Sequence, residues 1–326
     1  MTRESILSHD GVPAAQTQIG SGQVLIQRIR LLSAMAVAGI IFWHFGWWVA
    51  RPDDPGGAVS MLMIDNGVIA MAELLGLAVV VSGLAVAICG AGSAERGPLA
   101  VAVGLATLGL RGAQMDKLIL HRMTSTDPNI AAHPYPVFEF IAETWLWLAL
   151  IGVGFVVGRW VESWFDPQRE PPTPQRRAID HAMDIRQGVG TVAVAFFVAW
   201  VMVSFVAGNE TMPLLKGQLY FALIAAFLFA SLIAHWFFQM KTRTWALVSI
   251  AIVATVAYLY GQPSTKVLEE ARVIGAYVPL SSVARPLPIE YAAMGGIGVL
   301  FEADVMAFFF AVFGLSPSDR ETGDVV

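Results

Sequence analysis

Eight stretches of the chain are almost free of charge, and polar or proline-rich segments separate them. They run over 29–50, 68–90, 98–114, 137–160, 188–207, 217–239, 244–261 and 291–315. A helix that crosses the roughly 30 Å hydrocarbon layer needs about 20 mostly apolar residues, and most of these stretches reach that length. Lipid offers no partner for backbone N–H and C=O groups, so the pattern predicts helices rather than open strands. Two stretches are irregular: 98–114 is short and holds Arg111 near its end, and 291–315 carries Glu302 and Asp304 near its middle. If 291–315 only re-enters the membrane, seven spans remain and the C-terminal tail lies outside.

Composition supports the same picture. The chain is 56% hydrophobic and 14% charged, against about 45–50% and about 25% in soluble domains. That balance excludes a soluble globular enzyme. A net charge of −5 leaves no basic field, so no nucleic-acid partner is expected. The fold class read from the sequence is all-α, a polytopic integral membrane bundle of about eight transmembrane helices. Its expected partners are membrane lipids, with a second copy or a larger membrane complex as further candidates.

Residues 1–28 form a polar tail, and the run that follows is too long for a signal-peptide core and lacks a small-x-small cleavage pattern. It reads as a retained span. With the N-terminus inside, the inner segments hold twelve of the Lys and Arg residues and the outer ones eight. This bias favours both termini on the cytoplasmic side of a bacterial-type plasma membrane. Trp47 and Trp48 then mark the outer surface, and Trp160, Trp164, Trp236 and Trp245 the inner one.

Pro167, Pro171, Pro172 and Pro174 stand among mixed charges in the stretch 164–186, which predicts an extended cytoplasmic linker. It divides the chain into membrane halves at 29–163 and 187–315, with a short tail at 316–326. Each half has a long third connection, 115–136 and 262–290. Pro134-Tyr135-Pro136-Val137 parallels Pro286-Leu287-Pro288-Ile289, and Glu139-Phe140 parallels Glu290-Tyr291. A parallel four-plus-four repeat predicts such matches; chance pairing of Pro and aliphatic residues is the other reading. Within the long connections, 114–123 and 265–277 have amphipathic spacing, which predicts two helices lying on the outer surface.

Ionisable residues at membrane depth are costly and invite a functional reading. His44, Glu73, Arg111, Glu139, Glu143, Glu302 and Asp304 are the candidates for a polar cavity open to the outside. There Arg111 serves as counter-ion to Glu73 or Glu143, and a protonated Glu302 relays protons. Equally, Arg111 snorkels from its helix end, Glu139 sits at the interface and Glu143 joins helices by a hydrogen bond. In the outer loops Asp116, Lys117, His121, Arg122 and His133 are further candidates, but the spacing of the two histidines fits no compact helical ligand pair. No metal and no cofactor is predicted. His44 and His235 fall near opposite surfaces, which excludes a shared haem iron, and the lone Cys89 forms no intrachain disulfide.

Ser33-Ala34-Met35-Ala36-Val37, His44-Phe45-Gly46 and the later Ser82-Gly83 resemble the first two spans of the membrane acyltransferase-3 family. Ser33 stands where that family has an arginine, and Arg96 is all that remains of its basic pair. The resemblance covers about 55 residues and implies His44 as a general base. Three functions therefore stand: a transporter or permease with an outward-facing polar cavity, a membrane enzyme acting on envelope lipid or glycan, and an accessory or structural subunit of a membrane complex.

Overall fold

The computed structural model describes residues 21–52, 57–64, 66–90, 92–165, 174–206, 215–238, 243–274 and 278–313. Among them no strand forms. Helix α1 (Ser21–Ile41) runs through a π turn at Phe42–Gly46 into α2 (Trp47–Ala50). There follow α3 (Gly67–Cys89), α4 (Arg96–Arg111), α5 (Met115–Met123), α6 (Pro128–Ala132) and α7 (Val137–Phe165). The second part holds α8 (Pro174–Val206), α9 (Lys216–Phe238), α10 (Thr244–Tyr260), α11 (Thr265–Ile274) and α12 (Pro288–Phe313).

A helix lies at each of the eight predicted stretches, yet they are not equivalent. Six are long and apolar enough to cross a membrane, and a seventh span results if α10 and α11, bent by 79°, count as one. The chain is a multi-pass membrane protein on that basis. Helix α4 has 16 residues, which at about 1.5 Å each gives about 24 Å, short of a full crossing. Protein surrounds it: most of Gly97 to Gly109 is buried. A helix wrapped by other helices has no need to match the thickness of the lipid.

The same chain direction recurs, so two ends can be defined. The upper end gathers the described connecting residues 57–64, 112–136 and 278–287; the lower end gathers 92–95 and the start of α10. Helix α1 packs on α3 and α4, and α7 packs on the same two. Likewise α8 packs on α9 and α10, and α12 packs on α9 and α10. Between these groups α4 meets α12, α10 meets α7, α7 meets α12, and α5 touches α11. Small residues allow the close crossings. A Cβ on Gly154 of α7 would stand 2.7 Å from Pro98 Cα of α4, so only bare backbone fits there.

Two expectations change. Much of the predicted linker is helical: α7 continues through Trp164 to Phe165, and α8 begins at Pro174. Proline is tolerated at a first helical position, where its missing N–H has no intrahelical partner to lose. Residues 166–173, with Pro167, Pro171 and Pro172, lie outside the described residues. The two amphipathic segments do form α5 and α11, but α5 buries Met115, Leu118, Ile119 and Met123 completely or nearly so. Its apolar face is therefore covered by protein, while α11 leaves Val273 and Ile274 exposed. At the upper end two irregular segments, 57–60 and 278–287, are also largely buried. Non-helical backbone at such depth persists where protein shields it.

Candidate functional site

Carboxyl groups buried in the bundle define the site. Glu143 on α7 is 2% exposed and accepts three hydrogen bonds. Ser60 Oγ donates at 2.6 Å, Met61 N at 3.0 Å and Trp147 Nε1 at 2.9 Å. Trp147 follows Glu143 by four residues, so both project from one face of α7. Ser60 and Met61 come from the irregular segment after α2. Three donors on one carboxylate offset much of its desolvation, and they clamp that segment to α7.

Glu290, in the first turn of α12, is 1% exposed and is served differently. Its Oε2 accepts from Leu287 N at 2.9 Å. Its Oε1 lies 3.5 Å from Lys216 Nζ of α9 and has no hydrogen-bond partner among the described residues. Lys216 Nζ donates to Gly109 O at 2.6 Å and also to Gly112 O. These carbonyls belong to the C-terminal turn of α4, where a cation is favoured by the helix dipole and by carbonyls with no intrahelical partner. Tyr220 lies one turn along α9 from Lys216, and its buried hydroxyl also lacks a hydrogen-bond partner.

An aromatic row links these two carboxyls. Tyr135 meets Phe140 edge-on at 5.3 Å, Phe140 meets Tyr258 at 5.4 Å, and Tyr258 meets Tyr291 at 5.9 Å. Tyr258 Oη donates to Pro286 O at 2.9 Å and Tyr291 Oη to Val283 O. The row therefore ties α7, α10 and α12 to the buried segment 278–287. Tyr258 lies within electrostatic range of both Glu143 and Glu290. In the loop before α7, burial pushes the Tyr135 phenol well above the usual tyrosine range.

The lower end holds ion pairs. Arg96 of α4 grips Asp304 of α12 with both guanidinium nitrogens. Glu95 Oε2 lies 2.7 Å from Arg243 Nη1, and Arg243 also donates to Leu300 O at 3.3 Å. Glu302, 3% exposed, accepts from Ser231 Oγ at 3.2 Å and lies 3.4 Å from His235 Nδ1. Predicted as an interfacial residue, His235 is thus a partner of Glu302.

The structure does not gather the predicted cavity residues into one place. Glu143 is at the upper end, whereas Glu302 and Asp304 lie about three to four turns further along α12 than Glu290 and face lower-end partners. The reason is the direction of α12: a position near the middle of the long run 291–315 is near the lower end of the packed bundle. Arg111 is counter-ion to neither Glu73 nor Glu143. It donates to Trp43 O at 2.7 Å and lies over the rings of Trp43 and Trp47. His44, Glu73 and Glu139 are exposed on the surface.

Among the outer-loop candidates, Lys117, His121 and His133 are exposed, and Asp116 is half-buried. Arg122 donates to His133 O at 3.3 Å. Burial pushes its guanidinium down, and the nearby Glu139 carboxylate partly offsets this. Among the described residues no group of three or more His, Cys, Asp or Glu side chains is placed to hold a metal ion.

Sequence reasoning passed over Glu290, Lys216 and Tyr220 as site residues, having used Glu290 only as a mark of the repeat. Its position just inside a long apolar run, after Pro286 and Pro288, was the available signal. The partners were not legible, because Lys216 is 74 positions away in the chain. Compared with known proteins, the chain matches no family model, no curated protein and no solved structure.

Proposed function

We propose that this multi-pass membrane protein is a transporter or permease that moves a small solute between two related four-helix halves. The observation that carries this reading is the placement of Glu143, Glu290 and Glu302. All three are buried, and all lie on α7 and α12, which meet each other between the two helix groups and also contact α10 and α4, respectively, across the same divide. Buried carboxyls at membrane depth are expensive, and they concentrate along pathways for ions, protons and solutes.

A duplicated architecture supports the same reading. Helices α4 and α10 have 16 and 17 residues. Each ends at a glycine, Gly112 or Gly261, and each is followed by a short surface helix. Exchanging α1, α3, α4 and α7 for α8, α9, α10 and α12 reproduces the packing of the first and last helix of each group on the middle two, although among the described residues α3 packs on α4 with no matching packing of α9 on α10. Glu95 and Arg243 stand just before the first turns of α4 and α10, without capping them, and pair with each other. On this reading the upper end faces outward, both termini are cytoplasmic and the membrane is the plasma membrane.

The test is uptake by vesicles containing the purified protein, offered a panel of labelled amino acids, sugars and organic ions. Wild-type vesicles should accumulate at least one solute faster than protein-free vesicles. Glu143→Gln and Glu302→Gln should lose that advantage while keeping the wild-type helix content. Uptake no faster than in empty vesicles across the panel, or full uptake by both variants, would rule the reading out.

A further inference from the structure

We propose that Glu290, Lys216 and Tyr220 form an exchangeable-proton site, in which one water molecule bridges Glu290 Oε1, Tyr220 Oη and the Lys216 ammonium. Resting on the transporter reading, this site holds the proton that is coupled to solute movement.

The argument begins from hydrogen-bond supply. Glu143 receives three donors, which fill the acceptor sites of its two oxygens. Glu290 receives one backbone N–H on Oε2, and its Oε1 is buried without a hydrogen bond. Tyr220 Oη is in the same condition. Each such buried polar atom costs about 1–3 kcal/mol if left alone. A buried water needs about two to four polar partners, and this corner offers three. Lys216 commits two of its donors to Gly109 O and Gly112 O, which leaves one for the water or for Glu290. Gly109 lets this corner close up: a Cβ there would stand 2.9 Å from Tyr220 Oη and 3.8 Å from Glu290 Cγ.

The surroundings allow Glu290 to change charge. From α9 it faces Lys216 and Tyr220, and from α4 the carbonyls of Gly109 and Gly112. Arg111 of α4 is turned away to Trp43 and Trp47. From α10 the phenol of Tyr258 is in range, and Glu143 of α7 reaches that same phenol from the other side. On α12 itself Tyr291 is committed to Val283 O. A proton from bulk solvent is relayed through the bridging water, which passes one of its own protons to Glu290 Oε1. The carboxyl becomes neutral, the water stays intact and Lys216 remains an ammonium beside the α4 terminus. Release returns the proton to the water, and no oxidant or co-reactant is needed.

A purely structural role makes a different forecast: Lys216 caps α4, and Glu290 stays ionised as its counter-charge at every pH. Infrared difference spectra of the full chain in lipid vesicles, recorded between mildly acidic and mildly alkaline buffer, separate the two. The proton site predicts a carboxylic C=O band that grows on acidification, shifts in D2O and disappears in Glu290→Gln. Should that variant fail to fold, the neutral pair Lys216→Met with Glu290→Gln provides the same readout without an unpaired ammonium. Absence of the band in the wild type, or its survival in a folded variant lacking Glu290, overturns the site. The two proposals fail separately. A band lost with Glu290 in a protein that moves no solute leaves the proton site and removes the transport role. Solute uptake that keeps its full dependence on a pH gradient in Glu290→Gln leaves transport and removes the site.

Discussion

At the lower end Arg96 and Asp304 meet with side chains 30% and 26% exposed, and Glu95 beside Arg243 is more exposed still. At the upper end Glu143 and Glu290 are closed off, and each is held largely by uncharged donors or by a single ammonium. Solvent screens the first set, so its members are individually weak and replaceable. The second set has no solvent to fall back on, so removing one partner strands the others. The same residue types thus do different physical work at the two ends. The lower-end pairs join α4 to α12, and the residue before α4 to the residue before α10; the upper end sets the position of backbone that is neither helix nor exposed loop.

Substitutions can break or sharpen that contrast. The largest effect is expected for Glu143→Ala, which leaves Ser60 Oγ, Met61 N and Trp147 Nε1 buried without an acceptor. Thermal melts in detergent should show a loss of about 3 kcal/mol or more. A loss near zero would mean that water reaches this carboxyl. Next comes Gly112→Ala, whose Cβ would stand 2.6 Å from Val59 N. Overpacking against backbone should cost about 1–3 kcal/mol, read by the same melts.

Arg96→Ala should cost about 1 kcal/mol or less and lose that difference in high salt. A large, salt-independent loss would place the pair in the same class as the upper carboxyls. Exchanging Glu95 and Arg243 in a double charge swap should restore whatever either single reversal removes, within about 0.5 kcal/mol. His44→Ala should be nearly neutral in stability, within about 0.5 kcal/mol, and without effect on solute uptake. Loss of an envelope lipid modification in that variant would instead revive the enzymatic reading.

Much of the architecture could be read from the chain because the bilayer imposes it. Eight apolar runs gave eight helices at nearly the predicted places, since lipid permits little else. What failed were inferences about depth and neighbours. The run 98–114 carries no mark that says it is enclosed by protein; only its glycines, Gly104, Gly109 and Gly112, hint at close packing. Glu302 and Asp304 were assigned to the upper cavity from their place in a run, but depth is set by where α12 begins, at Pro288. Prolines at 167–174 were read as breaking structure throughout 164–186, although Pro174 opens a helix.

The candidate site was legible in part. Glu143 stood out as an acid inside an apolar run, and its burial followed. Its donors did not, since Ser60 belongs to a connection whose apolar character gave no sign that it folds inward. Arg111 was read either as a counter-ion or as snorkelling from its helix end; its partners are aromatic rings and a carbonyl rather than a carboxylate. Contacts between distant segments depend on packing that no local pattern records.

The π turn at Phe42–Gly46 has a consequence for how this chain tolerates change in length. Within it the N–H of Trp47 bonds to Phe42 O, five residues back, so the carbonyl of Trp43 is not taken up by Trp47 and accepts from Arg111. Such a turn is equivalent to one residue inserted into an α-helix. Deleting a single residue between Trp43 and Gly46 would therefore leave an unbroken helix with everything after it on nearly the same face, because the five residues of the π turn cover about the angle of four in an α-helix. Trp47 would stay beside Arg111, but Trp43 O would return to the helix and cease to accept from that guanidinium. The upper tip of the first span thus owes one free carbonyl to a length, one residue more than a regular helix needs, rather than to the identity of any side chain.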